Sequence, residues 1–283
     1  MNLNYQTKKN AQILSKFWGK SLDRPDWFKI NNQADETEIF IYDVIGFPFM
    51  DVSAFVQELS SIKAPEITVR INSPGGNFFD GLTIKNALSS HPAKIITKIE
   101  GVAASIASII ALAGDEVQAY DNSMVMIHNA WVLISGNSGD LIDMAAILQK
   151  LDGNLLNIYQ EASGLAPEDI KSMMDAETWF TATEALDKGF IDTILDSNGE
   201  PIKAAFDLSI FNNTPKNIKS EKRNIELTKR EVEIALRDAG ASRSFAKTIA
   251  SIAAGSGINS NNQMDAEMEE EIRNLIKKLK DGK

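Results

Sequence analysis

Lys94-Ile-Ile-Thr-Lys-Ile-Glu-Gly-Val-Ala-Ala-Ser-Ile-Ala-Ser-Ile-Ile-Ala-Leu-Ala-Gly114 is the stretch whose reading decides the fold. Its first part, Lys94 to Glu100, is rich in β-branched residues and predicts a strand. Its second part, Gly101 to Gly114, has the small, apolar composition of a buried helix, interrupted near its start by Ser105. A strand that feeds directly into a helix is half of a strand–helix–strand unit. Ser105 then has two readings. It is an N-cap, a favoured role for serine, or a hydroxyl placed where free N–H groups and the positive dipole end favour a developing negative charge.

The same alternation extends in both directions. Glu38 to Gly46 reads as a strand stopped by glycine, and Asp51 to Ile62 carries Val52, Phe55, Val56 and Leu59 at helical spacing. Glu66 to Asn72 is the next strand; it ends in Ser73-Pro-Gly-Gly76, after which Leu82, Ile84 and Leu88 mark a helix running to His91. Met124 to His128 is a later strand. A long helix pattern follows over Ser138 to Ala162, with Leu141, Met144, Ala145, Leu148, Leu151, Leu155 and Ile158 on one side and Gly153 as a weak point. It is longer than one compact layer requires, so part of it is expected to project onto a partner subunit. Ala166-Pro-Glu-Asp169 reads as a helix start, Thr181 to Gly189 as a short helix, and Phe190 to Leu195 as a final strand. This is an α/β chain with a mainly parallel sheet under covering helices.

Composition excludes several chemistries. The 283 residues contain no cysteine, which removes disulfides, thiolate metal sites and a cysteine nucleophile; two histidines, His91 and His128, argue against a histidine-rich metal centre. A net charge of −10 opposes a general nucleic-acid surface. No run approaches the roughly 18 to 20 apolar residues of a membrane span, so a cytoplasmic protein is expected. Three regions follow: an N-terminal arm over 1–35, a main domain over 36–198, and a linker with a helical C-terminal extension over 199–283. Asn212-Asn-Thr-Pro-Lys-Asn217 reads as linker, and the tail is either a separate module or a solvated extension with transient helices.

Three features sit at strand ends, where open α/β sheets place their ligand sites. Gly75 and Gly76 let a backbone approach a ligand closely, Ser105 opens a helix, and His128 closes a strand 23 residues later. Ile71-Asn-Ser-Pro-Gly-Gly76, Gly101-Val-Ala-Ala-Ser105 and Met126-Ile-His128, in this order, closely resemble the signature of the ClpP family of serine peptidases. The resemblance covers Ile39 to Leu195. It implies the ClpP/crotonase-like superfold, with Ser105 as nucleophile, His128 as general base, and the N–H groups of Gly76 and Ile106 as oxyanion hole. The family's aspartate position falls on Glu177, with Asp175 two residues away as the alternative acid. No metal or other cofactor is implied.

The tail carries a second, shorter resemblance. Thr228-Lys-Arg-Glu-Val-Glu233 and Leu236-Arg-Asp-Ala-Gly-Ala-Ser-Arg-Ser-Phe-Ala-Lys247 resemble the C-terminal extension of ClpP-like proteases from tailed bacteriophages and prophages. That implies a head maturation, or prohead, protease acting on capsid and scaffold proteins inside an assembling shell in the bacterial host cytoplasm. A homo-oligomeric ring is implied by the family. An ATPase partner is not, and this chain has no phosphate-binding G-x-x-x-x-G-K-[ST] loop of its own. Two rivals stand beside this reading: a crotonase-type enzyme that holds an acyl-CoA enolate with paired N–H groups, and a capsid-assembly scaffold that keeps the site without activity.

Overall fold

Alternation of buried and less buried residues along a strand of the sheet sets the layers. In β3 (Glu66–Ser73), Ile67, Val69, Ile71 and Ser73 are wholly buried, while Thr68, Arg70 and Asn72 turn the other way. The structure is a computed structural model that describes residues 28–32, 37–46, 51–132, 137–198, 208–215 and 218. Most of the N-terminal arm and most of the linker and helical extension expected over 199–283 lie outside the described residues.

The elements follow in order as β1 (Phe28–Asn32), β2 (Thr37–Ile41), α1 (Val52–Ser61), β3, α2 (Phe78–Ser89), β4 (Lys94–Ala104), α3 (Ile106–Ala111), β5 (Glu116–Tyr120) and β6 (Met124–Ile127). Then come α4 (Ser138–Ser163), α5 (Pro167–Asp175), β7 (Thr178–Thr181), α6 (Ala182–Asp187), β8 (Thr193–Leu195) and a 3-10 turn at Leu208–Ile210. The sheet runs β1-β2-β3-β4-β5-β8, and β6 leaves this path to pair with β4 and β7. All pairings are parallel except β1 with β2 and β6 with β7. Phe55, Leu59, Ile84, Leu88, Ile109 and Ile110 from the helices close the main core against one face of the sheet. The opposite face of β2–β4 carries Arg70, which bridges Glu38 and Glu100 and stacks over Phe40.

β4 is the element that places the site. Its first half, Ile96–Ile99, pairs with β5; its second half, Val102–Ala104, pairs with β6. The switch of partner falls at Gly101, where the Asn72 side-chain oxygen accepts the Val102 N–H at 3.1 Å. Gly101 to Ala104 is therefore strand, not the start of the helix that its small residues suggested; α3 covers only Ile106–Ala111. Parallel pairing with β6 supplies the partners that hold Val102 to Ala104 extended.

Other expectations shift for similar reasons. Phe28–Asn32, within the stretch read as an arm, forms an antiparallel edge strand. β5 and β7 were not anticipated: both are short and are fixed by neighbours distant in sequence. Gly153 does not interrupt α4, and a side chain there would meet nothing within 4 Å. Part of the 212–217 linker is docked on the main domain: Asn212 and Asn213 bond to residues 176 and 177, between buried Phe211 and Ile218.

Candidate active site

The fork in β4 sets two chain ends side by side. Ala104 of β4 pairs with Met126 of β6, and the next residue, Ser105, donates its N–H to the Met126 carbonyl at 3.0 Å. His128, two residues beyond Met126, thereby reaches the serine, with Nε2 2.8 Å from Ser105 Oγ. The backbone of Ser105 lies at φ +56° and ψ −130°. A non-glycine residue in such a conformation carries strain of about 1–3 kcal/mol and persists only where its surroundings hold it. The Ser105 side chain makes no capping bond to α3. Ser105 thus stands at the N-cap position of α3 but does not cap the helix with its hydroxyl.

Gly75 and Gly76 follow β3 on the other side of β4. Both have left-handed backbones, at φ +93° and +152°. A methyl group on Gly75 would lie 2.7 Å from Ser105 Cβ and 3.3 Å from the Ile106 nitrogen, and one on Gly76 would lie 2.1 Å from the Ile45 carbonyl oxygen. The Ile45 N–H donates to the Gly75 carbonyl at 2.8 Å and the Asn77 N–H to the Ile45 carbonyl at 2.7 Å, which ties the turn to Ile45. Gly75 thus lies against Ser105 and Ile106, His128 reaches Ser105 from the other side, and Gly76 is packed against Ile45.

The two candidate acids are placed differently. Asp175 accepts from the Asn129 side-chain amide at 2.9 Å and pairs with Lys171, contacts that lower its pKa. Glu177, itself at φ +48°, accepts the main-chain N–H of Asn212 at 3.0 Å and of Asn213 at 2.6 Å. Neither carboxylate is hydrogen-bonded to His128, and the charge of Glu177 favours the protonated imidazole. His128 is 9% exposed, and this burial holds its pKa below the ordinary imidazole value against the opposing pull of Glu177. A neutral imidazole within hydrogen-bond reach of a serine is equipped to take its proton.

Residues 24–198 match the family described as Clp protease, well over half of the chain. The chain belongs to the Clp protease family. Its curated relatives include the ATP-dependent Clp protease proteolytic subunit 1 of Leifsonia xyli, 33% identical over 134 residues, which span 47% of this chain and 68% of the relative. The proteolytic subunit of Deinococcus radiodurans is 34% identical over 137 residues, 48% of this chain and 67% of the relative. That of Protochlamydia amoebophila, subunit 1, is 30% identical over 171 residues, 58% of this chain and 82% of the relative. The matched family is one of serine-type peptidases, and the mixed α/β sheet agrees with it.

Some residues of this Clp protease family member contact the site without having been singled out from sequence. Ser108 on α3 donates to the Ser105 carbonyl at 2.6 Å and lies 2.7 Å from the hydroxyl of Tyr159 on α4. Phe211 packs edge-on against the His128 ring, centroids 5.7 Å apart, and against Trp179 at 5.6 Å. A signal existed for Phe211: Leu208-Ser-Ile-Phe211 is a short apolar run inside a polar stretch. None existed for Tyr159, which reads as one more apolar position on its helix. His91 is structural, its Nδ1 accepting the Ala93 N–H. Among the described residues no cluster of His, Asp or Glu is arranged to hold a metal, and no helix is long and apolar enough to cross a membrane.

Proposed function

We propose that this chain is a serine endopeptidase in which Ser105 is the nucleophile, His128 the general base and Glu177 the acid. The observation that carries the reading is the 2.8 Å contact between His128 Nε2 and Ser105 Oγ at a strained strand–helix turn. In the reaction Ser105 Oγ attacks the scissile carbonyl carbon while its proton passes to His128 Nε2. The N–H groups of Gly76 and Ile106 receive the oxyanion, each donor stabilising it by about 3 kcal/mol in comparable sites. His128 then returns the proton to the leaving amine. Water, activated by the same nitrogen, hydrolyses the acyl-enzyme. Glu177 balances the transient positive charge of the imidazole, as glutamate does in some Ser-His-acid sites.

The substrates we propose are proteins, namely the capsid and scaffold proteins of a tailed phage or prophage, cut during head maturation. The support is the tail, whose Thr228–Glu233 and Leu236–Lys247 segments resemble the extension of such enzymes. A homo-oligomeric ring fits the family and the exposed first half of α4. Enclosure of enzyme and substrate in one shell raises their effective concentration, which replaces delivery by an ATPase. The test is intact mass of the full chain over time, alone and with capsid and scaffold proteins, in wild type and Ser105→Ala. Discrete fragments in wild type alone support the reading. Both chains remaining whole under assembling conditions overturns it in favour of an inactive scaffold.

A further inference from the structure

The chain returns to the site after its last sheet strand. At Leu208–Ile210 it makes a 3-10 turn closed on the Leu208 carbonyl, which accepts from the Phe211 N–H at 3.1 Å and the Thr214 hydroxyl at 2.7 Å. Leu208, Phe211 and Ile218 are buried against Val102, Ala104, Met124 and Met126, a second small core on the sheet face opposite the main one. These β4 and β6 residues are the last before Ser105 and His128. The turn therefore packs on the strand ends that carry both groups.

Its contacts with the site are specific. The edge of Phe211 meets the His128 ring at an interplanar angle of 84°, a favourable arrangement of two rings that restricts rotation of the imidazole. The next two N–H groups, Asn212 and Asn213, each take one oxygen of the Glu177 carboxylate, and the Asn213 side chain donates to the Ala176 carbonyl at 2.7 Å. We propose that the turn Leu208–Thr214 is a positioning element of the catalytic centre, with Phe211 fixing the imidazole of His128 and the Asn212 and Asn213 N–H groups fixing the carboxylate of Glu177. This rests on the serine peptidase reading above. Short bonds from two successive main-chain groups leave a carboxylate little freedom to rotate. Phe211 also keeps water from one side of His128. The remaining charges around the imidazole are engaged elsewhere: Asp175 with Lys171 and Asn129, and Asp152 with the Ala130 N–H.

The chain has two histidines, so the imidazole of His128 can be titrated individually by NMR, with His91→Gln to assign it. Phe211→Ala admits water to the ring, and the His128 midpoint rises by about half a pH unit or more. The rate at which a fluorophosphonate probe labels Ser105 falls about tenfold as the imidazole loses its fixed orientation. Phe211→Leu, which keeps the cover, returns the midpoint close to wild type, and it decides the matter if Phe211→Ala does not fold. An unchanged midpoint in folded Phe211→Ala overturns the proposal. So does faster labelling, which makes the turn an inhibitory plug. Absence of labelling in wild type, with the midpoint shift still present, removes the peptidase reading alone, because the titration does not depend on activity.

Discussion

The hydroxyl of Tyr159 lies 2.7 Å from Ser108 Oγ, joining α4 to the helix that starts at the candidate nucleophile. The Ser108 hydroxyl in turn donates a hydrogen bond to the Ser105 carbonyl, so one buried chain of hydrogen bonds braces the strained turn from behind. Burial pushes the Tyr159 phenol well above its ordinary pKa, and it stays a neutral donor. Ser108→Ala leaves that phenol without its partner and costs about 1–3 kcal/mol, whereas Tyr159→Phe costs about 1 kcal/mol. The double variant is expected to be no less stable than Ser108→Ala, since the orphaned hydroxyl goes with it. Urea unfolding of the four proteins checks the ordering, and additive losses would show that the two hydroxyls are not coupled.

Backbone strain at Ser105 makes a second prediction. At φ +56° a Cβ is unfavourable and glycine is not, so Ser105→Gly should be more stable than Ser105→Ala by about 1 kcal/mol. Both variants lack the nucleophile and should fail to react with a fluorophosphonate. Equal unfolding midpoints would mean that the turn relaxes once the hydroxyl is lost.

Much of this was legible in the sequence because it was local. The turn at Ser73–Gly76, the strand of β3 and the helices read from Asp51 and from Thr181 are each written in a few adjacent residues, and all stand where the pattern put them. The proximity of Ser105 and His128 came from family resemblance, since a 23-residue separation alone says nothing about distance. What escaped was non-local. Gly101 to Ala104 are small enough for a helix, and only the presence of β6 alongside Val102 to Ala104 makes them strand. The docking of Phe211 depends on an apolar patch assembled from β4 and β6, which neither strand reveals by itself.

Burial of His128 sets the pH dependence. Its pKa lies below the usual value, about 6.5 for an unperturbed imidazole. The base must be neutral to act, so activity should persist on acidification past 6.5 and fall only through the lower, folded-state midpoint. Glu177 acts in the opposite direction to burial, and Glu177→Gln should therefore move the acid limb to still lower pH while reducing kcat. Stability follows the same sign: between the folded midpoint and 6.5 the unfolded chain binds the proton first, so acidification through that window destabilises the protein. A pH–rate profile compared with the NMR titration of His128 checks both; a limb above 6.5 would exclude His128 as the titrating base.

The long helix α4 divides into two halves with different surroundings. Leu155 and Tyr159 in its second half are buried, whereas Leu141, Ile142 and Ile147 in the first half are 47%, 69% and 45% exposed. A capping box at Asn137 starts that half firmly, yet an isolated segment of about 15 residues is marginal in water without tertiary packing. Large apolar side chains along such a segment favour burial against a second copy of the chain. Replacing Leu141 and Ile142 together with lysine should change the unfolding free energy of a protomer by no more than about 0.5 kcal/mol, as for other exposed sites. The same change should shift the sedimentation coefficient from that of an assembly to that of smaller species. An unaltered sedimentation profile would place the subunit contact elsewhere on the molecule.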